Sequence, residues 1–277
     1  MKGYASLSLE GRRALITGGG TGLGRGLARA FVQAGAEVVL CGRRRAALEE
    51  ARSVAIADGG QCEIVVADVT VEDEVLALQR AGGRIDILVN NAGISPDEAW
   101  ETVSLDAWRR VLETNMVAPF HLCQVFAPAM RERGWGRIIN ISSVYGSMVG
   151  KPFLYPEGWD PSPYFASKHG IHGITRNLAV RLAPYGVTVN SLSPGGIAGA
   201  TNRGLTDEEQ AREAEAKTGA EREADEHRGA RFLHDEIPMG RWGRPEDYAG
   251  PAIFLASPAS AYMTGQILIV DGGWTLW

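Results

Sequence analysis

Cysteine is scarce in this chain, with 3 residues among 277, and the three lie far apart. Cys41, Cys62 and Cys123 are too few and too scattered for a disulfide framework or a zinc site, so we expect no metal. Cys41 and Cys62 lie in apolar, strand-like runs, which is typical of buried thiols in a reducing compartment. The cysteine pattern therefore favours a cytoplasmic protein.

Two further absences limit the possible partners. Lys and Arg number 28 against 33 Asp and Glu, for a formal net charge of −5, so no global positive field attracts nucleic acid or an anionic membrane. No apolar run approaches the length of a membrane span, and strand-like sequence begins near Arg13, so we expect no signal peptide. We predict neither a nucleic-acid-binding nor a membrane protein.

Short apolar runs alternate with helical patterns along the chain. The seven runs are RALIT, EVVLC, CEIVVAD, IDILVNN, GRIINIS, VTVNSLS and QILIVDGG. Continuous runs of this kind are typical of parallel strands buried on both faces. The helical patterns between them are Gly22 to Ala34, Ala46 to Asp58, Leu105 to Arg133, Tyr164 to Pro184 and Pro245 to Ala256. The alternation predicts a single α/β domain over 1–277, with a doubly wound sheet of about seven parallel strands flanked by helices.

A glycine-rich turn, TGGGTGLG at Thr17 to Gly24, stands between the first strand and the first helix. Glycines let the backbone approach a pyrophosphate, and the helix N-terminus adds free N–H groups and a partial positive charge. The spacing of Gly18, Gly22 and Gly24 differs from the common G-x-G-x-x-G fingerprint. The turn predicts a site that binds the phosphates of a dinucleotide, with its glycines at a spacing other than that of the common fingerprint.

The end of the second strand indicates which dinucleotide is used. An acidic residue about 20 positions after the glycines would accept hydrogen bonds from a free 2′-hydroxyl and favour NAD. Gly42 stands there instead, followed by Arg43, Arg44 and Arg45. A guanidinium can pair with a 2′-phosphate, so NADP(H) is preferred. NAD(H) stays possible, because these arginines could also be the solvated start of a helix.

Tyr164 and Lys168, in the string YFASK, lie four residues apart and therefore on one face of a helix. The lysine charge favours the phenolate, so a phenol with an ordinary pKa near 10 can exchange protons closer to neutral pH. Hydride transfer to or from a carbonyl needs such an acid–base partner. His169 and His172 follow on this helix without an acidic or cysteine partner, so we interpret them as packing or surface residues.

Seven strings in order resemble the short-chain dehydrogenase/reductase family, over nearly the whole chain. They are TGGGTGLG, Asp68-Val69, NNAG at Asn90 to Gly93, Asn115, Ser143, Tyr164 with Lys168, and SPGGI at Ser193 to Ile197. The closing region from Pro238 to Trp274 is also similar to the family. The resemblance implies a Rossmann fold and an NAD(P)-dependent oxidoreductase.

The resemblance also implies the roles of four catalytic residues. Tyr164 is the expected general acid in reduction and general base in oxidation. Lys168 would lower the tyrosine pKa and hydrogen-bond the nicotinamide ribose. Ser143, rather than Ser142, would donate to the substrate oxygen and stabilise charge that develops during hydride transfer. Asn115 would hold a water that relays protons from Lys168 to solvent.

The cofactor contacts implied by the resemblance come from all parts of the chain. Asp68 would accept from the adenine amino group, and Pro194, Gly195 and Ile197 would lie against the nicotinamide. The full expected set is Gly18, Thr21, Gly22, Leu23, Gly24, Arg43, Asp68, Val69, Asn90, Ala92, Gly93, Tyr164, Lys168, Pro194, Gly195 and Ile197.

Two segments break the alternation of strands and helices. Residues 150–163 carry four prolines, and they make the separation of Ser143 and Tyr164 longer than is usual in the family. We expect an active-site insertion there that reshapes the mouth through Tyr155 or Trp159. Residues 199–238 are charged and alanine-rich, which is typical of an exposed face, but they follow the nicotinamide turn. They are a candidate substrate lid, with Phe232 or Leu233 capping the pocket.

The expected activity is interconversion of a secondary alcohol and a ketone on a small molecule. The insertion and the SPGGI turn resemble gluconate 5-dehydrogenase-like members, which implies a sugar, polyol or sugar-acid substrate. A 3-oxoacyl reductase-like enzyme is the alternative within the family, and a non-catalytic dinucleotide-binding regulator is the alternative outside it. In this family, helices equivalent to 105–133 and 164–181 pack against a second subunit, so the resemblance implies a homotetramer or a dimer.

Overall fold

The structure is a computed structural model that describes residues 6–57, 59–95, 100–149, 161–198, 229, 231 and 233–276. Most of the predicted insertion, 150–160 of 150–163, lies outside the described residues. So does most of the predicted lid, including Phe232, while Leu233 is described. The roles expected for both segments therefore stay predictions.

Seven strands are found in the described part of the chain. They are β1 (Arg13–Thr17), β2 (Glu37–Gly42), β3 (Gln61–Val66), β4 (Ile87–Asn90), β5 (Gly136–Ile141), β6 (Val187–Pro194) and β7 (Ile267–Val270). The main helices are α1 (Gly22–Gln33), α2 (Arg45–Ala55), α3 (Glu72–Gly82), α4 (Leu105–Leu112), α5 (Ala118–Glu132), α6 (Ser162–Leu182) and α7 (Pro245–Ala256). Within the described ranges, none of the helices is both long and apolar enough to span a membrane.

The strands form one parallel sheet in the order β3-β2-β1-β4-β5-β6-β7. The chain winds outward from β1 to β3, then returns to place β4 on the other side of β1. This reversal leaves a crevice outside the carboxyl ends of β1 and β4, where ligands bind in open α/β sheets. The predicted doubly wound fold with seven parallel strands is confirmed.

Apolar helix faces cover both sides of the sheet. Leu27 and Phe31 of α1 pack with Leu255 of α7 on one side. Leu122 and Phe126 of α5 pack on the other side, together with parts of α3 and α6. Strands β4, β5 and β6 are buried along their whole length, as continuous apolar runs in parallel sheets are expected to be.

Two helical features differ from the sequence-based expectation. Helix α3 was not predicted, and its core-facing stripe is thin, since Val75 and Leu78 are its only large buried side chains. The predicted helix from Leu105 to Arg133 contains a π-helical turn, Glu113–Val117, between α4 and α5. Such turns insert one extra residue and are frequent at functional sites, and here the turn buries the side chain of Asn115.

A chain of buried polar side chains joins the sheet to α6. Asn90 Nδ2 donates to Asn140 Oδ1 at 2.8 Å, and Asn140 Nδ2 donates to Thr175 Oγ1, also at 2.8 Å. All three side chains are buried. Because a buried donor that loses its acceptor pays its full desolvation cost, this chain fixes the position of α6 on the strands.

Replacing Thr175 by Val should destabilise the protein by about 1–3 kcal/mol, because it leaves a buried Asn140 N–H without its acceptor. Thr188→Val is the matched control. Its hydroxyl is also buried but has no hydrogen-bond partner among the described residues. The control should be neutral or slightly stabilising. Urea unfolding of both variants is the measurement, and equal destabilisation would contradict the expectation.

Candidate active site

A cavity of about 910 Å³ lies at the carboxyl ends of the strands. Its walls come from the segments that follow all seven strands. Fifteen of the sixteen residues expected to bind the cofactor line it, namely Gly18, Thr21, Gly22, Leu23, Gly24, Arg43, Asp68, Val69, Ala92, Gly93, Tyr164, Lys168, Pro194, Gly195 and Ile197. Ser143 lines it as well.

The glycine turn after β1 is tightly packed at Gly18 and Gly24 and faces open space at Gly22. A Cβ on Gly18, whose φ is 62°, would lie 2.9 Å from Ala92 Cα. A Cβ on Gly24 would collide with the Gly18 carbonyl oxygen. Gly22 has a φ of 51°, and a Cβ there would meet no atom within 4 Å. The backbone at Gly22 thus faces the open cavity.

The N-terminus of α1 is open to an anion. Thr21 occupies the N-cap position in an extended conformation, and its side chain makes no capping hydrogen bond. The first turn of α1, which is described in full, contains no acidic residue. Its first amide groups and the positive end of the helix dipole therefore face the cavity, as a pyrophosphate site requires. The turn fits the diphosphate of a dinucleotide.

The loop after β4 is fastened to this turn by hydrogen bonds that were not predicted. Thr17 Oγ1 accepts from the backbone N–H groups of Asn91 and Ala92 at 3.0 and 3.1 Å. Asn91 Nδ2 donates to the carbonyl oxygens of Thr17 and Gly18 at 2.9 and 3.1 Å. Asn91 also lines the cavity. These bonds hold Ala92 and Gly93 at the cavity wall.

Asn90 is the one expected cofactor residue that lies away from the cavity surface. Its side chain points into the sheet, where Nδ2 bonds Asn140, and it is 3% exposed. These contacts tie Asn90 to the sheet. Its expected contact with the cofactor stays a prediction.

Arg43 lies at the end of the cavity where a dinucleotide would place its adenosine. Its side chain is 71% exposed, and its Nη1 is 3.8 Å from Asp68 Oδ2, a weak surface contact. Asp68 Oδ1 accepts from the backbone N–H and the hydroxyl of Thr70, at 3.0 and 2.7 Å, which fixes the carboxylate. Gly42 and Arg44 line the same end, so no carboxylate stands at the position that binds a free 2′-hydroxyl.

Tyr164 and Lys168 lie one turn apart on α6 and both line the cavity. Lys168 Nζ donates to the Ile141 carbonyl at 2.8 Å and lies 5.3 Å from the centre of the Tyr164 ring. The lysine is 4% exposed, and burial lowers its pKa to about 8 from an ordinary 10.5. A positive charge therefore stands beside the phenol below that pH.

The two serines after β5 have different partners. Ser142 donates to the Lys168 carbonyl oxygen at 3.2 Å, so its hydrogen is used to hold α6. Ser143 caps the short helical turn Val144–Gly146, and its oxygen accepts from Tyr145 N at 3.2 Å. That contact uses a lone pair of Ser143 and leaves its O–H available to donate. The geometry supports Ser143 as the serine that donates to a substrate.

Asn115 lies behind the cavity wall rather than in it. Its Oδ1 accepts from Ile94 N and its Nδ2 donates to Ile94 O, both at 2.8 Å. Its Nδ2 also contacts Ser167 Oγ at 3.1 Å. A Cβ on Gly93 would lie 3.3 Å from Asn115 Oδ1 and 3.7 Å from Lys168 Nζ, so the two polar groups flank the same glycine.

Aromatic residues form the wall of the cavity around Tyr164. Tyr145 packs edge-on against Trp274, with ring centres 5.4 Å apart, and 6.5 Å from Tyr164. Trp242 covers Gly196, where no side chain would fit. None of these three aromatic lining residues was predicted. Tyr145 follows β5, Trp242 precedes α7 and Trp274 follows β7.

The family description "short chain dehydrogenase" matches residues 12–210, and "Enoyl-(Acyl carrier protein) reductase" matches residues 215–275. The chain therefore belongs to the short-chain dehydrogenase family. The predicted family and the NAD(P)-dependent oxidoreductase class are confirmed.

Three relatives illustrate the similarity. Gluconate 5-dehydrogenase of Gluconobacter oxydans (strain 621H) is 36% identical over 97% of this chain and 96% of its own length. A rhamnolipid-biosynthesis 3-oxoacyl-[acyl-carrier-protein] reductase of Pseudomonas aeruginosa is 35% identical over 97% and 98%. A crystal structure of a gluconate 5-dehydrogenase from Burkholderia cenocepacia J2315, in complex with NADP and tartrate, is 34% identical, with a TM-score of 0.81 over 98% of each chain.

Replacing Lys168 by Met should raise the free energy of unfolding of the ligand-free protein at pH 7 by roughly 1–3 kcal/mol, because a buried charge is removed. The gain should shrink between pH 8 and 10.5. In that window Lys168 keeps its proton in the unfolded wild type and loses it in the folded one. The free energy of unfolding therefore rises with pH in the wild type and not in the variant.

Thermal and urea unfolding from pH 6 to pH 10.5 measure this difference. Arg181→Met, at an exposed position of the same helix, is the control and should show no such convergence. A Lys168→Met gain that is the same at every pH would show that burial does not depress the pKa of this lysine.

Proposed function

We propose that this chain is an NADP(H)-linked oxidoreductase that interconverts a secondary alcohol and a ketone on a sugar acid, sugar or polyol. The observation that carries the proposal is one cavity that combines a phosphate cradle with Ser143, Tyr164 and Lys168. A dinucleotide site alone would also suit a regulator. The acid–base group beside it is what suits an enzyme.

The residues that would hold the cofactor follow from the cavity walls. Amides of the glycine turn and the α1 N-terminus suit the pyrophosphate. Arg43 and Arg44 suit a 2′-phosphate, and Asp68 suits the adenine amino group. Pro194, Gly195 and Ile197 would support the nicotinamide. When bound, the cofactor supplies or accepts a hydride.

The chain's own residues would donate and accept the proton. In reduction, the Tyr164 hydroxyl donates its proton to the substrate oxygen, and in oxidation the phenolate takes it back. Lys168 keeps positive charge beside the phenol, and the Ser143 hydroxyl donates a hydrogen bond to the same substrate oxygen. The aromatic residues around Tyr164 reduce the access of water, which strengthens these interactions.

Two relatives of nearly equal identity support different substrates. One is named gluconate 5-dehydrogenase and the other 3-oxoacyl-[acyl-carrier-protein] reductase. The solved relative with NADP also contains tartrate, a hydroxy acid. This supports a polar, polyhydroxylated substrate as the first choice and an acyl thioester as the second.

A turnover panel tests the proposal. Hexonic acids and hexitols are assayed with NADP⁺, and their keto forms and a 3-oxoacyl thioester are assayed with NADPH. We expect one preferred class of substrate, the hexonic acids. Tyr164→Phe should lower kcat by about 10²–10⁴-fold with little change in NADPH affinity, because only the transferable proton is lost. Tyr185→Phe, at an exposed tyrosine, is the control.

Preference for the thioester would favour the acyl-reductase alternative. NADPH binding without turnover of any substrate would favour the non-catalytic regulator. A Tyr164→Phe variant that keeps more than half of the wild-type kcat would overturn the role of Tyr164.

Arg43→Asp should shift the cofactor preference toward NADH. It removes a partner for the 2′-phosphate and puts a carboxylate where it repels that phosphate and accepts from a free 2′-hydroxyl. Arg45→Asp is the matched control, because Arg45 pairs with Glu49 and is not among the cavity-lining residues described. The ratio of kcat/KM for NADPH and NADH is the measurement, and a wild-type preference for NADH would refute the assignment.

We also propose a homotetramer or dimer, a cytoplasmic location and a single domain with the insertion at 150–163 and the lid at 199–238. Exposed apolar side chains on α5 and α6, such as Phe120 and Val180, support an interface between copies. The three cysteines are free thiols, which supports a reducing compartment.

A further inference from the structure

The imidazole of His172 lies at the junction of three segments that form the active site. It is 5% exposed and belongs to α6, one turn beyond Lys168. Its Nε2 is 3.2 Å from Ser193 Oγ on β6. The same end of the ring packs against Gly146, where an added Cβ would lie 2.6 Å from His172 Cε1 and 2.8 Å from its Nε2. The glycine is therefore required for the ring to fit.

Each of the three segments carries a different part of the site. The turn at Gly146 directly follows Ser143, and α6 carries Tyr164 and Lys168. Ser193 directly precedes Pro194 and Gly195, which line the cavity. A single side chain thus joins the segment of the serine, the helix of the proton donor and the turn expected to support the nicotinamide.

His172 does not exchange protons at neutral pH. Burial lowers its pKa to about 4, and the positive charges of Arg176 and Lys168 act in the same direction, while a hydrogen bond with the Gly146 backbone opposes them. The neutral ring has one donor and one acceptor nitrogen. It can hold fixed partners but supplies no proton to the reaction.

Its neighbour on the helix behaves differently. His169 is exposed and its Nδ1 contacts the Phe165 carbonyl of its own helix at 3.0 Å. In the described part of the chain, no group of three or more His, Cys, Asp or Glu side chains could hold a metal ion. The contacts of His172 are with Ser193 and Gly146.

We propose that His172 is a positioning residue that sets the spacing between the Pro194–Gly195 turn and the Tyr164–Lys168 pair; this inference rests on the proposed function. Hydride transfer depends steeply on the distance between donor and acceptor atoms, and displacements of about 1 Å cost about 10²-fold. A hydrogen bond between β6 and α6 at this junction limits such displacement. Ser142, which bonds the Lys168 carbonyl, ties α6 to β5 in the same way.

The test compares His172→Leu, which removes the hydrogen bond, with His172→Gln, whose terminal amide can replace Nε2. Ser193→Ala removes the partner with a smaller change of volume, and His169→Leu is the control on the exposed side of the helix. We expect His172→Leu and Ser193→Ala to lower kcat about 10-fold with KM for NADPH changed less than 3-fold. The kcat of His172→Gln should lie within 3-fold of the wild-type kcat, and the kcat of His169→Leu should equal it.

The double variant His172→Leu/Ser193→Ala should be no slower than the slower single variant, because both remove the same contact. Additive losses of kcat would overturn the proposal, as would a His172→Gln variant that is as slow as His172→Leu. A change in melting temperature without a change in kcat would assign His172 to packing only. If His172→Leu does not fold, Ser193→Ala alone decides, and an unchanged kcat there overturns the proposal.

A second readout separates this proposal from the proposed function. The fluorescence of bound NADPH reports the surroundings of the nicotinamide without turnover. This fluorescence should differ from wild type in His172→Leu and equal the wild-type value in His172→Gln. If the wild type converts nothing on the panel, the proposed function fails, and the fluorescence comparison still decides the role of His172.

Discussion

Buried hydrogen bonds along one face of α6 determine where Tyr164 and Lys168 lie. Ser167 contacts the π-helical turn and His172 contacts the end of β6. Lys168 and Thr175 contact the last two residues of β5. Apolar packing alone would tolerate small slides of a helix across the sheet, because it has no preferred direction. Each buried polar contact is lost by such a slide, so together they set one position for Tyr164.

The features predicted from sequence are those whose signal is local. Each strand is a short apolar run and the pair Tyr164–Lys168 is a four-residue spacing, so β1 to β7 and the place of this pair on one helix face could be predicted directly. Helix α3 was missed because Val75 and Leu78 give only a thin apolar stripe. The π-helical turn was missed because one extra residue hardly alters a helical pattern.

The rest of the site depends on contacts between distant segments. Thr17 meets Asn91 because β1 and β4 are neighbours, and Trp274 reaches Tyr145 because the chain beyond β7 returns over the end of β5. No spacing in the sequence contains that information. The sequence predicted His172 only as a packing or surface histidine, and its contact with a residue 21 positions away follows only from the register of β6 on β5.

Two distant parts of the chain form a bridge just beyond the Pro194–Gly195 turn. Ile197 and Gly243 form a parallel bridge, in which Ala198 N donates to Gly243 O and Gly243 N donates to Gly196 O, both at 2.9 Å. The described residues before Gly243 are fixed to the fold as well, since Ile237 is buried with Val144 and Trp274, and Met239 N donates to Gly272 O at 3.1 Å. The chain on either side of residues 199–236 is therefore held by contacts outside that range. Because the entropy of closing a loop grows only slowly with its length, changes of chain length there are compatible with the rest of the fold.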